Sequence, residues 1–190
     1  MLINAASGYL ISGEIPSPQG TAHQSVVPYQ AFRASDGYIL IGAANEKLFR
    51  QLCQALEHPE WITDPRFKSN ADRAVHREEL VALIEEALQV DTVKGWEKRL
   101  MDAQVAVAPV NRMDQVFNDP QVVHSQQVVT VHHPTIGDLP LVGPAVGYSL
   151  TPAQVTAPPP RLGEHTHEVL STLLEISEED LERLATEGVI

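Results

Sequence analysis

The sequence predicts an α+β fold, with small sheets alternating with amphipathic helices, and three observations carry that prediction. In "PYQAFRASDGYILIGAAN", residues 28 to 45, Tyr29, Ala31 and Arg33 alternate with Gln30 and Phe32 before Ser35-Asp36-Gly37, and β-formers continue in "YILIGAA" after it, as in two strands joined by a turn. From Asn45 the period lengthens, because Leu48, Phe49, Leu52, Cys53 and Leu56 recur at three- and four-residue steps and form one stripe of a helix. The alternation then returns in "QVVTVHHPTIGDLPLVG", which predicts a second hairpin turning near Gly137.

The remaining elements follow in order. "MLINAASGYLISG" is apolar and helical from its first residue and has no capping side chain, as though the chain entered inside a helix that starts elsewhere; this predicts a truncated protein. Gly13, Pro16, Pro18 and Gly20 then punctuate too often for regular structure and mark a loop. In the first hairpin, Asp36-Gly37 is the strongest local turn signal, with glycine expected to take the positive φ. "EHPEWITDPRFKSNADR" is expected to be irregular, since its prolines interrupt helix. A helix over about Val75–Leu88 sets Leu80, Leu83, Ile84, Ala87 and Leu88 against a glutamate-rich, solvated face. Thr92 caps a helix with Trp96 and Leu100, "VAVAPV" reads as a short buried strand, and "MDQVFND" as a helical turn. Proline-rich "TPAQVTAPPPRLG" is an extended crossing, and two short helices close the chain, the last started by Ser177 and Asp180 with Ile176 and Leu181 as a hydrophobic staple.

Composition excludes several functions. Thirteen basic against 25 acidic residues give a formal charge of -12, and no basic patch interrupts it, so no nucleic-acid partner is expected. The single cysteine, Cys53, cannot form an intrachain disulfide, which points to a reducing, cytoplasmic setting. No apolar run reaches the ~20 residues of a membrane span, so no membrane partner is expected either.

The residues do not assemble a recognisable reaction centre. His132 and His133 are adjacent and face opposite sides of a strand, and His165 and His167 lack a completing ligand, so no metal site is expected. G-x-S-x-G is absent, and no glycine fingerprint opens a helix. The Gly20-Thr21-Ala22-His23 loop is the one flexible polar segment with a plausible recognition role.

Four spaced segments, "PYQAFRASDGYILIGAANEKLFRQLCQAL", "DPRFKSNADRAVHREEL", "APVNRMDQVFNDPQVV" and "PPPRLGEHTHEVL", resemble the C-terminal half of the family III CoA-transferases, which include formyl-CoA transferase, carnitine CoA-transferase and α-methylacyl-CoA racemase. The resemblance runs in unbroken order from about Leu2 to Ile190. It implies the small α+β domain and C-terminal return segment of such an enzyme without its Rossmann-like, CoA-binding N-terminal part. On that reading residues 1–25 end a linker helix and loop, 26–135 form the small domain and 136–190 return to the large domain, two full-length chains interlocking as a homodimer.

The resemblance also implies a reaction, the movement of CoA between an acyl-CoA and a carboxylic acid through aspartyl-anhydride and aspartyl-thioester intermediates, with the CoA thioester as substrate and no permanently bound cofactor. The nucleophilic aspartate belongs to the missing half. None of Asp36, Asp64, Asp72, Asp91, Asp102, Asp114, Asp119, Asp138 and Asp180 is expected to take its role, no catalytic residue is assigned here, and the isolated chain is expected to be inactive. The substrate-contact candidates are Gly20, Thr21, Ala22 and His23, which fall where formyl-CoA transferase has a glycine-rich lid, and Tyr29. With one glycine in place of several, oxalate-type recognition is not expected. The alternatives are a racemase that abstracts the proton beside the thioester, and a non-catalytic domain acting only in association.

Overall fold

The computed structural model describes residues 3–190. They fall into two compact units, one ending at Asn111 and the other spanning Arg112–Ile190. Both sheets are antiparallel, as an α+β fold requires.

The first unit opens with α1 (Ile3–Ser12), and the expectation of helix from the very first residue falls on positions 1 and 2, outside the described residues. Strands β1 (Tyr29–Arg33), β2 (Tyr38–Gly42) and β3 (Ala106–Pro109) form one sheet in the order β1-β2-β3. Tyr29 lies opposite Gly42, Ala31 opposite Leu40, and Leu40 opposite Ala108. Because successive strand residues point to opposite faces, Phe32, Ile39 and Ile41 share the inner face and are fully or almost fully buried. Helices α2 (Glu46–Ala55), α4 (Arg77–Leu88) and α5 (Val93–Asp102) join that core through Phe49, Leu52 and Cys53, through Leu80, Ile84 and Leu88, and through Trp96 and Leu100. Each such side chain contributes roughly 1.5–3 kcal/mol when withdrawn from water.

Thr92 caps its helix as expected, and Asn45 is a cap that the sequence reading did not name. Asn45 accepts from the Leu48 N–H at the start of α2, and the Thr92 hydroxyl accepts from the Gly95 N–H at the start of α5. Four expectations are corrected. Gly37 does not have a positive φ: the turn closes through Ala34 N–H to the Gly37 carbonyl, and a Cβ on Gly37 would stand 3.3 Å from Val93 Cγ2. Glycine is therefore favoured there by the close approach of α5, whose Val93 N–H donates to Asp36 Oδ1 at 2.8 Å. The connection after α2 is more regular than its prolines suggest, holding a 3-10 turn at Pro59–Ile62 and helix α3 (Asn70–Val75), which starts in a reciprocal Ser69–Asp72 capping box. Val75 therefore belongs to α3, and α4 begins at Arg77. Finally, β3 is not buried, because Ala106 and Ala108 face out and Pro109 ends an edge strand, where a missing N–H costs nothing.

The free edge of β1 is closed. Thr21 Oγ1 accepts from Ala31 N–H, His23 N–H donates to the Tyr29 carbonyl, Glu85 Oε1 accepts from Arg33 N–H, and Gln89 Nε2 donates to the Arg33 carbonyl. An unpaired strand edge templates aggregation, and these four bonds remove that template. Glu85 thus belongs to the sheet rather than to a purely solvated helix face.

The second unit contains α6 (Met113–Val116), α7 (Pro120–His124), the hairpin β4 (Val128–His133) with β5 (Gly137–Val142), and α8 (Thr166–Leu174) with α9 (Glu178–Thr186). Gly137 turns the hairpin at φ +86°. His132 is exposed and pairs across strands with Asp138 at 3.0 Å, whereas His133 is buried, so the two rings do face opposite sides. Ser177 caps α9 by accepting from Asp180 N–H.

Candidate functional site

The predicted contact residues Gly20, Thr21, Ala22, His23 and Tyr29 lie together in the first unit. Gly20 adopts φ +60° in a turn closed by Ala22 N–H to the Gln19 carbonyl, and the chain then runs along the edge of β1. His23 is fixed by its own neighbours, since its Nδ1 accepts from Ser25 N–H at 3.2 Å and Val26 N–H at 3.1 Å. A ring nitrogen that accepts carries no proton, so the imidazole proton sits on Nε2. The ring meets Tyr29 edge-on, with centroids 5.6 Å apart.

Tyr29 in turn lies across Gly42, where a Cβ would come within 2.9 Å of its ring. Beside it the outer face of the sheet forms an open, mainly apolar trough of about 340 Å³, bordered by Tyr29, Leu40, Gly42, Ala106 and Ala108. Small side chains opposite an aromatic wall leave room for an aliphatic group, and His23 supplies a polar group next to that wall. Replacing Gly42 by valine is expected to push the Tyr29 ring off the sheet. The check is nuclear Overhauser contacts between Tyr29 and residue 42, which should be lost while those of the core Phe32 persist.

Sequence reasoning missed what holds this loop. Asn70 accepts from Val27 N–H through Oδ1 at 3.0 Å and donates through Nδ2 to the Ser25 carbonyl at 2.8 Å. Arg73, wholly buried, donates from Nε to the Val27 carbonyl, from Nη1 to the Phe67 carbonyl, and from both terminal nitrogens to Glu46, while its guanidinium lies 4.2 Å from the Phe49 ring centroid. Arg77 Nη2 reaches both the His23 and Gln24 carbonyls, at 3.0 and 2.9 Å. Asn70 and Arg73 stand at i and i+3 on one face of α3, whereas Arg77 opens the separate helix α4, so spacing alone did not group the three.

The other reactive groups are already engaged. Every aspartate has a partner: Asp36 caps α5, Asp119 caps α7, Asp91 accepts from Thr92 N–H, and Asp102 and Asp138 pair with Lys98 and His132. Arg66 holds Asp64, Ser69 holds Asp72, Arg112 holds Asp114, and Arg183 together with Ser177 holds Asp180, each carboxyl below its usual range. Burial pushes the Cys53 thiol up to about 12, so it offers no thiolate near neutral pH. Among the described residues no cluster of ligand side chains could hold a metal ion, and no helix is long and apolar enough to cross a membrane.

Comparison with known proteins gives the class of this α+β chain, the CoA-transferases. The chain belongs to CoA-transferase family III, whose family model matches residues 1–166. It is similar to the human succinyl-CoA:glutarate CoA-transferase, 37% identical over 189 residues, covering 100% of this chain and 43% of that protein. It is also 32% identical over 191 residues to a succinate–glutarate CoA-transferase of Agrobacterium fabrum, covering 98% of this chain and 45% of that protein. A crystal structure of a CAIB/BAIF family protein from Brucella suis superposes with a TM-score of 0.75 at 29% identity, covering 91% of this chain and 44% of that one. The chain thus spans less than half the length of the relatives it matches.

Proposed function

We propose that this chain supplies the small-domain half of a CoA-transferase that moves CoA from a short dicarboxylic acyl-CoA to a second dicarboxylic acid. The observation that carries the reading is the juxtaposition of His23, Tyr29 and the apolar trough in a chain of this family. The substrate class follows from the relatives, whose names pair succinyl-CoA with glutarate, D-citramalate or L-malate. Residues 1–25 act as the end of a linker and its loop, 26–135 as the small domain and 136–190 as the return segment of an interlocked homodimer.

In this scheme an aspartate carboxylate of the other half attacks the thioester carbonyl and expels CoA thiolate, giving a mixed anhydride. The thiolate then attacks the aspartyl carbonyl, the donor acid leaves, and an aspartyl thioester remains for the acceptor carboxylate to resolve. Splitting transfer into covalent steps replaces one difficult displacement with easier ones. The anhydride reacts with water, so the segment ahead of β1 has the task of covering it. Thr21, Ala22 and His23 meet the substrate from the loop, Gly20 supplies the turn, and Tyr29 supports the acyl chain.

The test is transfer between succinyl-CoA and glutarate, followed by chromatography of the acyl-CoA products. The chain alone is expected to give none, and the chain co-expressed with the remaining portion of a full-length relative is expected to give glutaryl-CoA. Turnover by the isolated polypeptide at an ordinary enzymatic rate would overturn the claim that the nucleophile lies elsewhere. A second reading, a domain that associates without turnover, is favoured by α1, which buries no residue and exposes Leu10 and Ile11 by 80% and 88%; complex formation without product in the same experiment would establish it.

A further inference from the structure

We infer that Asn70, Arg73 and Arg77 form a clamp that fixes the stretch from His23 to Val27 and holds His23 as a hydrogen-bond donor, through Nε2–H, for a substrate carboxylate. The carboxylate assignment rests on the proposed function; the clamp does not.

The two legs of the loop are built differently. From Glu14 to Gln19 the side-chain hydrogen bonds are local, from Glu14 N–H to Ser12 and from Gln19 Nε2 to Ser17. From His23 to Val27, side chains 43 to 54 positions away hold backbone groups: Arg77 takes the carbonyls of His23 and Gln24, Asn70 the carbonyl of Ser25 and the N–H of Val27, and Arg73 the carbonyl of Val27. Charge-assisted bonds from arginine are the stronger kind, and a planar guanidinium orients what it holds.

The consequence reaches the imidazole. The Ser25 and Val26 N–H groups that point at His23 Nδ1 belong to the clamped stretch. While they stay in place Nδ1 is an acceptor and the proton is confined to Nε2. Nε2–H is then a fixed donor on the ring that meets Tyr29 edge-on, and Tyr29 is the wall of the trough. Arg77 and Asn70 are thus positioning residues that act through His23.

The experiment uses nuclear magnetic resonance on the whole 190-residue chain. In the wild type the amides of Ser25, Val26 and Val27 should exchange with solvent at least tenfold more slowly than those of Ser17 and Gln19, and long-range proton–nitrogen correlations should show His23 as the Nε2–H tautomer. Arg77→Ala should accelerate exchange at residues 25–27 at least tenfold and mix the His23 tautomers, leaving Ile84 and Leu88 unchanged, and Arg77→Lys should fall between. Equal exchange in both legs of the wild type, an unaltered His23 in Arg77→Ala, or equal acceleration at Ile84 and Leu88 would overturn the clamp. None of these signals depends on turnover. For the carboxylate role, glutarate titrated into the co-expressed assembly should shift the His23 Nε2 resonance; no shift in an assembly that makes glutaryl-CoA would remove that role while leaving the clamp and the transferase reading in place.

Discussion

Replacing Arg73 by alanine is expected to lower the stability of the first unit by about 3–5 kcal/mol, the range for removing one partner of a buried charged network. The buried carbonyls of Val27 and Phe67 lose their donor, at about 1–3 kcal/mol for each group left unpaired, and a cavity opens beside the Phe49 ring. The Glu46 ion pair contributes less, because that carboxylate is half exposed and water screens it. In a domain whose whole stability is about 5–15 kcal/mol, such a loss should move Tm by more than ~10 °C in a thermal scan. A change of only a degree or two would show that the network carries no net stability.

The same network predicts a pH dependence. The Arg73 guanidinium holds the Glu46 carboxyl below its ordinary value of 4.5. A depressed folded-state pKa gives stability that is fully present above the unfolded value and disappears as pH falls through the folded one. The wild type should therefore lose this contribution only below about pH 4.5. Glu46→Gln, which cannot ionise, should give a flatter stability profile through that range in urea titrations.

Replacing Trp96 by alanine is the second large effect, at about 3–5 kcal/mol for an aromatic side chain removed from a packed core. Trp96 is 1% exposed, its Nε1–H donates to the Leu88 carbonyl at 2.9 Å, and the Arg99 guanidinium covers its ring at 4.5 Å. Trp96→Phe keeps most of the volume but strands the Leu88 carbonyl, so about 1–3 kcal/mol should be lost. The order wild type, Trp96→Phe, Trp96→Ala should appear as falling midpoints in urea, read in the variants through the fluorescence of Trp61, which stacks on His58. Equal midpoints for the two variants would mean that the hydrogen bond contributes most and the packing little.

Much of the first unit was legible in the sequence, since its signals are local. Alternation around Ser35 to Gly37 set the hairpin, and the stripe from Leu48 to Leu56 set the buried face of α2. Thr92 and Ser177 were readable as caps, because a cap and its amide lie three residues apart. Gly37 differs for the opposite reason: the sequence suggests a local torsion, whereas what favours glycine is the close approach of Val93, 56 positions later in the chain. The candidate site was legible only in part. Gly20 to His23 and Tyr29 were placed by resemblance to the family, whereas the trough requires Gly42 and Ala108 to be brought beside Tyr29 by strand order.

By itself the sequence determined most of the elements, their apolar faces and the caps Thr92 and Ser177, which follow from period and short-range hydrogen bonding, while the family came from the resemblance of whole segments. Tertiary structure alone decided that Arg73 is buried, that Asn70 and Arg77 grip the stretch from His23 to Val27, and that His23 therefore carries its proton on Nε2. The reason is distance along the chain. An arginine reads as a surface residue until folding surrounds it with carbonyls and a carboxylate from three other segments, and only then does the cost of burying its charge become a source of order.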